Sequence, residues 1–197
     1  METQPVEYPP HAPPPGDVAG DDTLQRAQRG DLPAFRVLLR AQKSRVFSMA
    51  LRILGNSADA EEVAQDVFLQ LHGAIAQIAT FEHLKHWLLR AVSHRCIDRL
   101  RSQGSRPRLV PMAALPEDAL ATAPDASGDH LAITQVHRLL PELAAEARAV
   151  LLLRYQEDLV PSEIATVLAI PVNTVKSHLR RSLEWLRAQL AGDSHGS

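Results

Sequence analysis

From Thr23 to Arg101, and again from Leu131 to about Leu190, apolar residues return every three or four positions; between these stretches the rhythm is lost. That spacing gathers apolar side chains on one face of a helix. No segment shows a convincing period-two alternation, so strands are not expected. The reading is an all-α chain of two small helical domains joined by a flexible linker. In 197 residues there is room for two such cores. With aromatics at 4%, those cores must be mostly Leu, Ala, Val and Ile.

The expected boundaries follow from proline, glycine and charge. Residues 1–22 hold six prolines, two glycines and only acidic charges, and are expected to be a disordered Pro-rich acidic tail. An N-terminal helical domain spans 23–102. In it Gly30-Asp31 form a break and cap, and Phe35, Leu38, Leu39, Val46, Met49, Ala50 and Ile53 make one helical stripe. Gly55-Asn56-Ser57 stop that helix; Asp59 and Glu62 have capping-box spacing for the next, with Val63, Val67, Phe68 and Leu71 as its apolar positions. A third helix covers about 83–101, burying Leu84, Trp87, Leu88, Ala91, Val92 and Ile97. Residues 103–130, with four prolines and no sustained stripe, read as linker. As a coil its ends would lie about 30 Å apart, and its contour reaches roughly 90 Å. A C-terminal domain spans 131–191, and 192–197 form a short disordered tail.

A single cysteine, Cys96, excludes an internal disulfide and a multi-cysteine zinc site. Apolar runs fall short of the roughly 18 residues of a membrane span, and the N-terminus lacks the basic and apolar parts of a secretory signal. An intracellular soluble protein is expected. The net charge of −2 hides a strong partition. Residues 1–23 and 111–130 carry acids and neither Lys nor Arg; residues 85–108 hold seven Lys/Arg against one acid, and 171–190 hold four against one. Two basic segments are compatible with two polyanion-facing surfaces, and equally with solvated helices.

Residues 161–187 read as helix, tight turn, helix, with Pro161 and Pro171 each opening a helix at its first position. In the second helix Val175, Leu179, Leu183 and Leu186 make the buried stripe, while Asn173, Thr174, Lys176, Ser177, His178, Arg180 and Arg181 project elsewhere. Such donors at the start of a positive helix suit the major groove and its phosphates. An ordinary helical hairpin with a polar face would show the same stripe, and His178 could face solvent instead of a base.

The segment LPELAAEARAVLLLRYQEDLVPSEIATVLAIPVNTVKSHLRRSLEWLR carries Leu140-Pro141, Leu153-Arg154-Tyr155, Glu163-Ile164-Ala165 and Pro171-Val172-x-Thr174-Val175-Lys176-Ser177 in one order and spacing. On those residues it resembles the fourth conserved region of bacterial RNA polymerase sigma factors, in their extracytoplasmic-function (ECF) group. The resemblance implies reading of the minus-thirty-five promoter element by Arg154, Pro171, Lys176, Ser177, Arg180 and Arg181; Asn173, Thr174 and His178 join the expected site from their place on the donor face of the same helix. Asn173 stands where Gly is usual in that family and His178 where Arg is common, departures that bear on the preferred base sequence.

Ala60-Glu61-Glu62-Val63-Ala64-Gln65-Asp66-Val67-Phe68-Leu69-Gln70-Leu71 resembles the second conserved region of the same family. The resemblance implies core-polymerase contacts by Glu62, Gln65, Asp66 and Leu69 with the clamp helices of the largest subunits. From the residues alone, this is an acidic face with an apolar edge, which also describes a solvated helix with acids near its positive end. Trp87-Leu88-x-Arg90 and Ile97-Asp98-x-Leu100-Arg101 resemble the family segment that melts and holds the minus-ten element. That implies DNA contacts by Lys85, His86, Trp87, Arg90, His94 and Arg95. Aromatic faces and cations can hold an unstacked strand, although Trp87 at this spacing also serves as a core anchor. His94 replaces the family's usual Asn.

His83, His86 and His94 lie near Cys96, but no further ligand has suitable spacing, so neither metal nor cofactor is expected. No nucleophile, base and oxyanion set can be assembled, so no enzymatic activity is expected. The expected function is that of an ECF-type sigma factor. It would bind core polymerase and direct promoter-specific initiation in the cytoplasm, with promoter DNA and, by resemblance, an anti-sigma factor as partners. The rival is a free-standing helix-turn-helix regulator acting without polymerase docking.

Overall fold

The computed structural model describes residues 19–103, 136 and 138–193. Among them are seven α-helices and two 3-10 turns, no strand, and no helix long and apolar enough to cross a membrane. The linker and most of the two tails fall outside the described residues. Asp21 and Asp22, assigned by sequence to a disordered tail, instead form the first turn of α1 (Asp21–Gln28), where acids suit the positive end of the helix.

The N-terminal unit is organised around α2 (Leu32–Leu54), against which α1, α3 (Ser57–Ala74) and α4 (Phe81–Ser102) all pack. Local chemistry sets its ends. Asp31 caps α2 by accepting from the Ala34 N–H at 3.1 Å, and Gly55 closes it in the left-handed conformation at φ 77°. Asn56, not Asp59, caps α3: its side chain accepts from Asp59 N–H at 2.8 Å and donates to the Asp59 carboxylate. The sequence expectation of an Asp59–Glu62 capping box is therefore corrected: both carboxylates accept from Arg99 of α4, and that of Asp59 from Asn56 as well. Thr80 caps α4 through His83 N–H. Gln28 ties α1 to the turn after α3, donating to the carbonyls of Ile75 and Ile78. Leu24, Leu38, Met49, Ile53, Leu71, Leu84 and Leu88 fill the interior.

The C-terminal unit contains a 3-10 turn at Leu140–Glu142, α5 (Ala145–Tyr155), α6 (Pro161–Leu168) and α7 (Val172–Asp193). Pro161 opens α6 as expected. Pro171 sits one residue before α7, and its carbonyl accepts from Thr174 and Val175, so it caps the helix and does not occupy the first helical position. Of the expected α7 stripe, Val175 and Leu186 are buried and Leu179 and Leu183 half-buried.

The two units pack together, and their apolar side chains form one continuous cluster. Arg148 on α5 is 5% exposed. Its guanidinium donates to the Ile53 carbonyl at the end of α2 and to the Pro141 and Leu143 carbonyls at 2.6 and 3.0 Å. Burial pushes its pKa down to about 10. Arg45 pairs with Glu157 and Arg101 with Glu146 across the same boundary.

Candidate nucleic-acid interface and docking face

Helix α4 turns once every 3.6 residues, so positions 87, 90–91, 94–95 and 98 share a face. There, Trp87, Arg90, Ala91, His94, Arg95 and Asp98, with Gln70 from α3, line an open cavity of about 360 Å³. Four of the six residues expected at a strand-holding site are thus brought together. Lys85 and His86 are not. Lys85 lies 2.9 Å from the Glu82 carboxylate and over the Phe81 ring, and His86 is 3.5 Å from Glu82. Trp87 is half-buried: it packs against the core and also walls the cavity, so both readings of its role have a physical basis. His94 places Nε2 3.0 Å from the Val167 carbonyl, so α6 lies against this part of α4.

On α3, Glu62, Gln65 and Leu69 are exposed, Leu69 at 65%, and Asp66 is half-buried. The large open leucine gives the acidic face its apolar edge. The acids are not idle. Arg99 Nη2 donates to Asp59 at 2.6 Å and to Glu62 at 2.7 Å. The hydrogen bond from Arg99 holds the Glu62 carboxyl below the ordinary carboxylate range. For Asp59, partial burial works upward, but hydrogen bonds from Asn56, Gln103 and Arg99 outweigh it and bring the carboxyl below its usual value. Asp66 stands 4.0 Å from Arg95. The Gln70 amide, in the orientation that satisfies both groups, accepts from Arg95 Nε at 3.0 Å. Sequence reasoning missed a second, mostly apolar groove of about 280 Å³ between α2 and α3, walled by Leu39, Phe47, Ala64 and Phe68 and edged by Arg40, Lys43, Glu61 and Gln65.

On α7, Asn173, Lys176, Arg180 and Arg181 are exposed, and Thr174, Ser177 and His178 are half-buried. Among the described residues Arg180 reaches only Glu184 on its own helix, at 3.4 Å. Arg154 is partly committed: its Nη1 donates to the Leu159 carbonyl, beyond the end of α5. The turn before α7 places Ala169 at φ 54°. Cys96 is fully buried, and burial raises its thiol pKa well above the usual range. Among the described residues, no three His, Cys, Asp or Glu side chains are grouped to hold a metal ion.

Two family models match the chain: "Sigma-70 region 2" over residues 38–106 and "Sigma-70, region 4" over residues 133–186. The ECF RNA polymerase sigma factor SigW of Bacillus subtilis is 29% identical, over 85% of this chain and 94% of that protein. The ECF RNA polymerase sigma factor SigE of Mycolicibacterium smegmatis is 30% identical, over 92% of this chain and 70% of that protein. Among solved structures, CnrH in complex with the cytosolic domain of CnrY shares the fold, with a TM-score of 0.61 and 22% identity over 87% of this chain and 97% of that one.

Proposed function

The chain belongs to the sigma-70 family, in its ECF group, and from that premise we propose how it acts. It is a sigma factor that directs transcription initiation, without chemistry of its own, in the cytoplasm where polymerase and promoter DNA are found. The α3 face of Glu62, Gln65, Asp66 and Leu69 docks on the core enzyme at its clamp helices. Trp87, Arg90, His94 and Arg95 hold the opened minus-ten strand, with Lys85 and His86 as flanking contacts. Lys176, Arg180 and Arg181, with Asn173, Thr174, Ser177, His178, Pro171 and Arg154, read the minus-thirty-five element.

The observation that carries this reading is the cavity on α4. It places an aromatic wall, two arginines and a histidine on one face, next to an α3 whose exposed side is acidic with a leucine edge. Base stacking and phosphate neutralisation require the first set; a cationic partner helix suits the second. Two modest grips tethered to one large enzyme gain selectivity through effective concentration. The structural likeness to CnrH, solved with a cytosolic partner domain bound, supports an anti-sigma factor as a further partner.

The test is initiation in a purified system. The chain should select promoters only when core polymerase is present, and Glu62→Lys with Asp66→Lys should abolish co-purification with core. Sequence-specific selection by the chain alone, indifferent to core, would return the assignment to a free-standing regulator.

A further inference from the structure

The two faces assigned above share their charges. Asp66, on the docking face, stands 4.0 Å from Arg95, which lines the strand-holding cavity. Gln70, with its amide turned so that both groups are satisfied, accepts from the same guanidinium. Arg95 and Asp66 are each nearly half exposed, so the pair is loose and easily exchanged. Its neighbour differs: Arg99 is held by two carboxylates at 2.6 and 2.7 Å, one of them the shielded Asp59, and keeps that partner even if Glu62 is taken.

We propose that Asp66 and Gln70 restrain Arg95 in the free chain, and that a cationic partner drawing Asp66 away releases Arg95 to a nucleic-acid phosphate. This deepens the proposed function and rests on its docking reading. A guanidinium cannot give its full charge to a phosphate while a carboxylate beside it competes. Loss of Asp66 to a cation on the partner removes the competitor and leaves Gln70, whose neutral amide positions the guanidinium without cancelling its charge. Docking and strand capture are then coupled through one side chain, with no movement of the backbone. Asp66 and Gln70 are positioning residues for Arg95, not contacts to the strand.

The experiment uses the full-length chain without polymerase and a short fluorescent single-stranded DNA, titrated by anisotropy at low salt. Asp66→Asn should tighten binding about three- to fivefold, the range of an exposed ion pair. Asp98→Asn is the matched control. It removes one negative charge from the same cavity wall, but Asp98 faces Arg101, at 3.8 Å. The restraint requires a larger gain from Asp66→Asn than from Asp98→Asn, and requires that gain to vanish in an Arg95→Gln background. Equal gains from the two acids, or a gain that survives Arg95→Gln, would reduce the effect to net charge and overturn the proposal, as would no gain. Co-purification of Glu62→Lys or Leu69→Lys chains with core reads the docking assignment separately, so either idea can fail while the other stands.

Discussion

Helices α4 and α7 have the same length, 22 residues, and both carry basic side chains assigned to DNA, yet they hold them differently. On α4 most cations are tied to acids: Lys85 to Glu82, Arg95 to Asp66, Arg99 to Asp59 and Glu62, Arg101 to Asp98 and Glu146, while Arg90 is exposed and pairs with no acid among the described residues. On α7, Lys176 and Arg181 make no hydrogen bond or ion pair among the described residues, and Arg180 has only an acid of its own helix. The difference matches the tasks proposed for them. Reading an intact duplex needs solvated donors that settle into a groove. Holding an opened strand works against base stacking, and the cation proposed to do so, Arg95, stays paired with Asp66 until a partner takes that acid. On α4 charge is part of the architecture; on α7 it is available for use.

The sharpest way to break that contrast is to remove charge from α7. Lys176→Ala with Arg181→Ala should leave the urea midpoint of the chain unchanged. Promoter-specific initiation should fall by at least roughly tenfold, since each lost contact to base or phosphate is worth about 1–3 kcal/mol. The salt dependence of promoter binding should become shallower as well. A chain that unfolds more easily, or one that initiates normally, would show that these side chains are not the free readers described.

Much of this was legible in the sequence because it is local. Apolar spacing marks the helices, and Asp31, Gly55 and Pro161 mark ends where one side chain or one backbone conformation decides the outcome. The face shared by Trp87, Arg90, His94 and Arg95 was legible for the same reason. Helical geometry also explains why Lys85 lies outside the cavity: it is only two residues before Trp87, but two residues are about 200° of rotation. What no local spacing encodes is a partner far along the chain. Arg148 is the clearest case, an arginine that reads as a solvated charge until the Ile53 carbonyl, 95 residues earlier, is found against it. Gln70 as a cavity wall and the pairing of Asp59 and Glu62 with Arg99 belong to the same class. So does the packing of the two units against each other.

A smaller effect sharpens the α4 side of the comparison. If the α4 charges are architectural, their acids should make stability acid-sensitive. The Asp59 carboxyl lies below its ordinary value in the folded chain despite the opposing effect of burial. A depressed folded-state pKa adds stability that is complete above the unfolded value, near pH 4, and is lost as pH falls through the folded one. Asp59→Asn should therefore lower stability at neutral pH by about 1 kcal/mol or less and flatten the decline below about pH 4 in urea titrations. An equally steep acid decline in the variant would mean that Asp59 does not supply it.

The smallest expected effect lies in the turn that aims α7. Ala169 is left-handed at φ 54° and ψ 41°, where its Cβ crowds the backbone. The turn accepts that strain because Ile164, Val167 and Leu168 before it and Val175 after it are anchored in the core, and the Ile170 N–H closes onto the Ala165 carbonyl at 3.1 Å. Ala169→Gly removes the crowding but leaves the unfolded chain freer, so the two effects partly offset and a net stabilisation of about 0.5–1 kcal/mol is expected. Because the anchors, and not the alanine, set the direction of α7, promoter selectivity should be unchanged. A variant that gains stability but loses selectivity would show that the strained turn itself orients the free cations of α7, making its backbone as architectural as the ion pairs of α4.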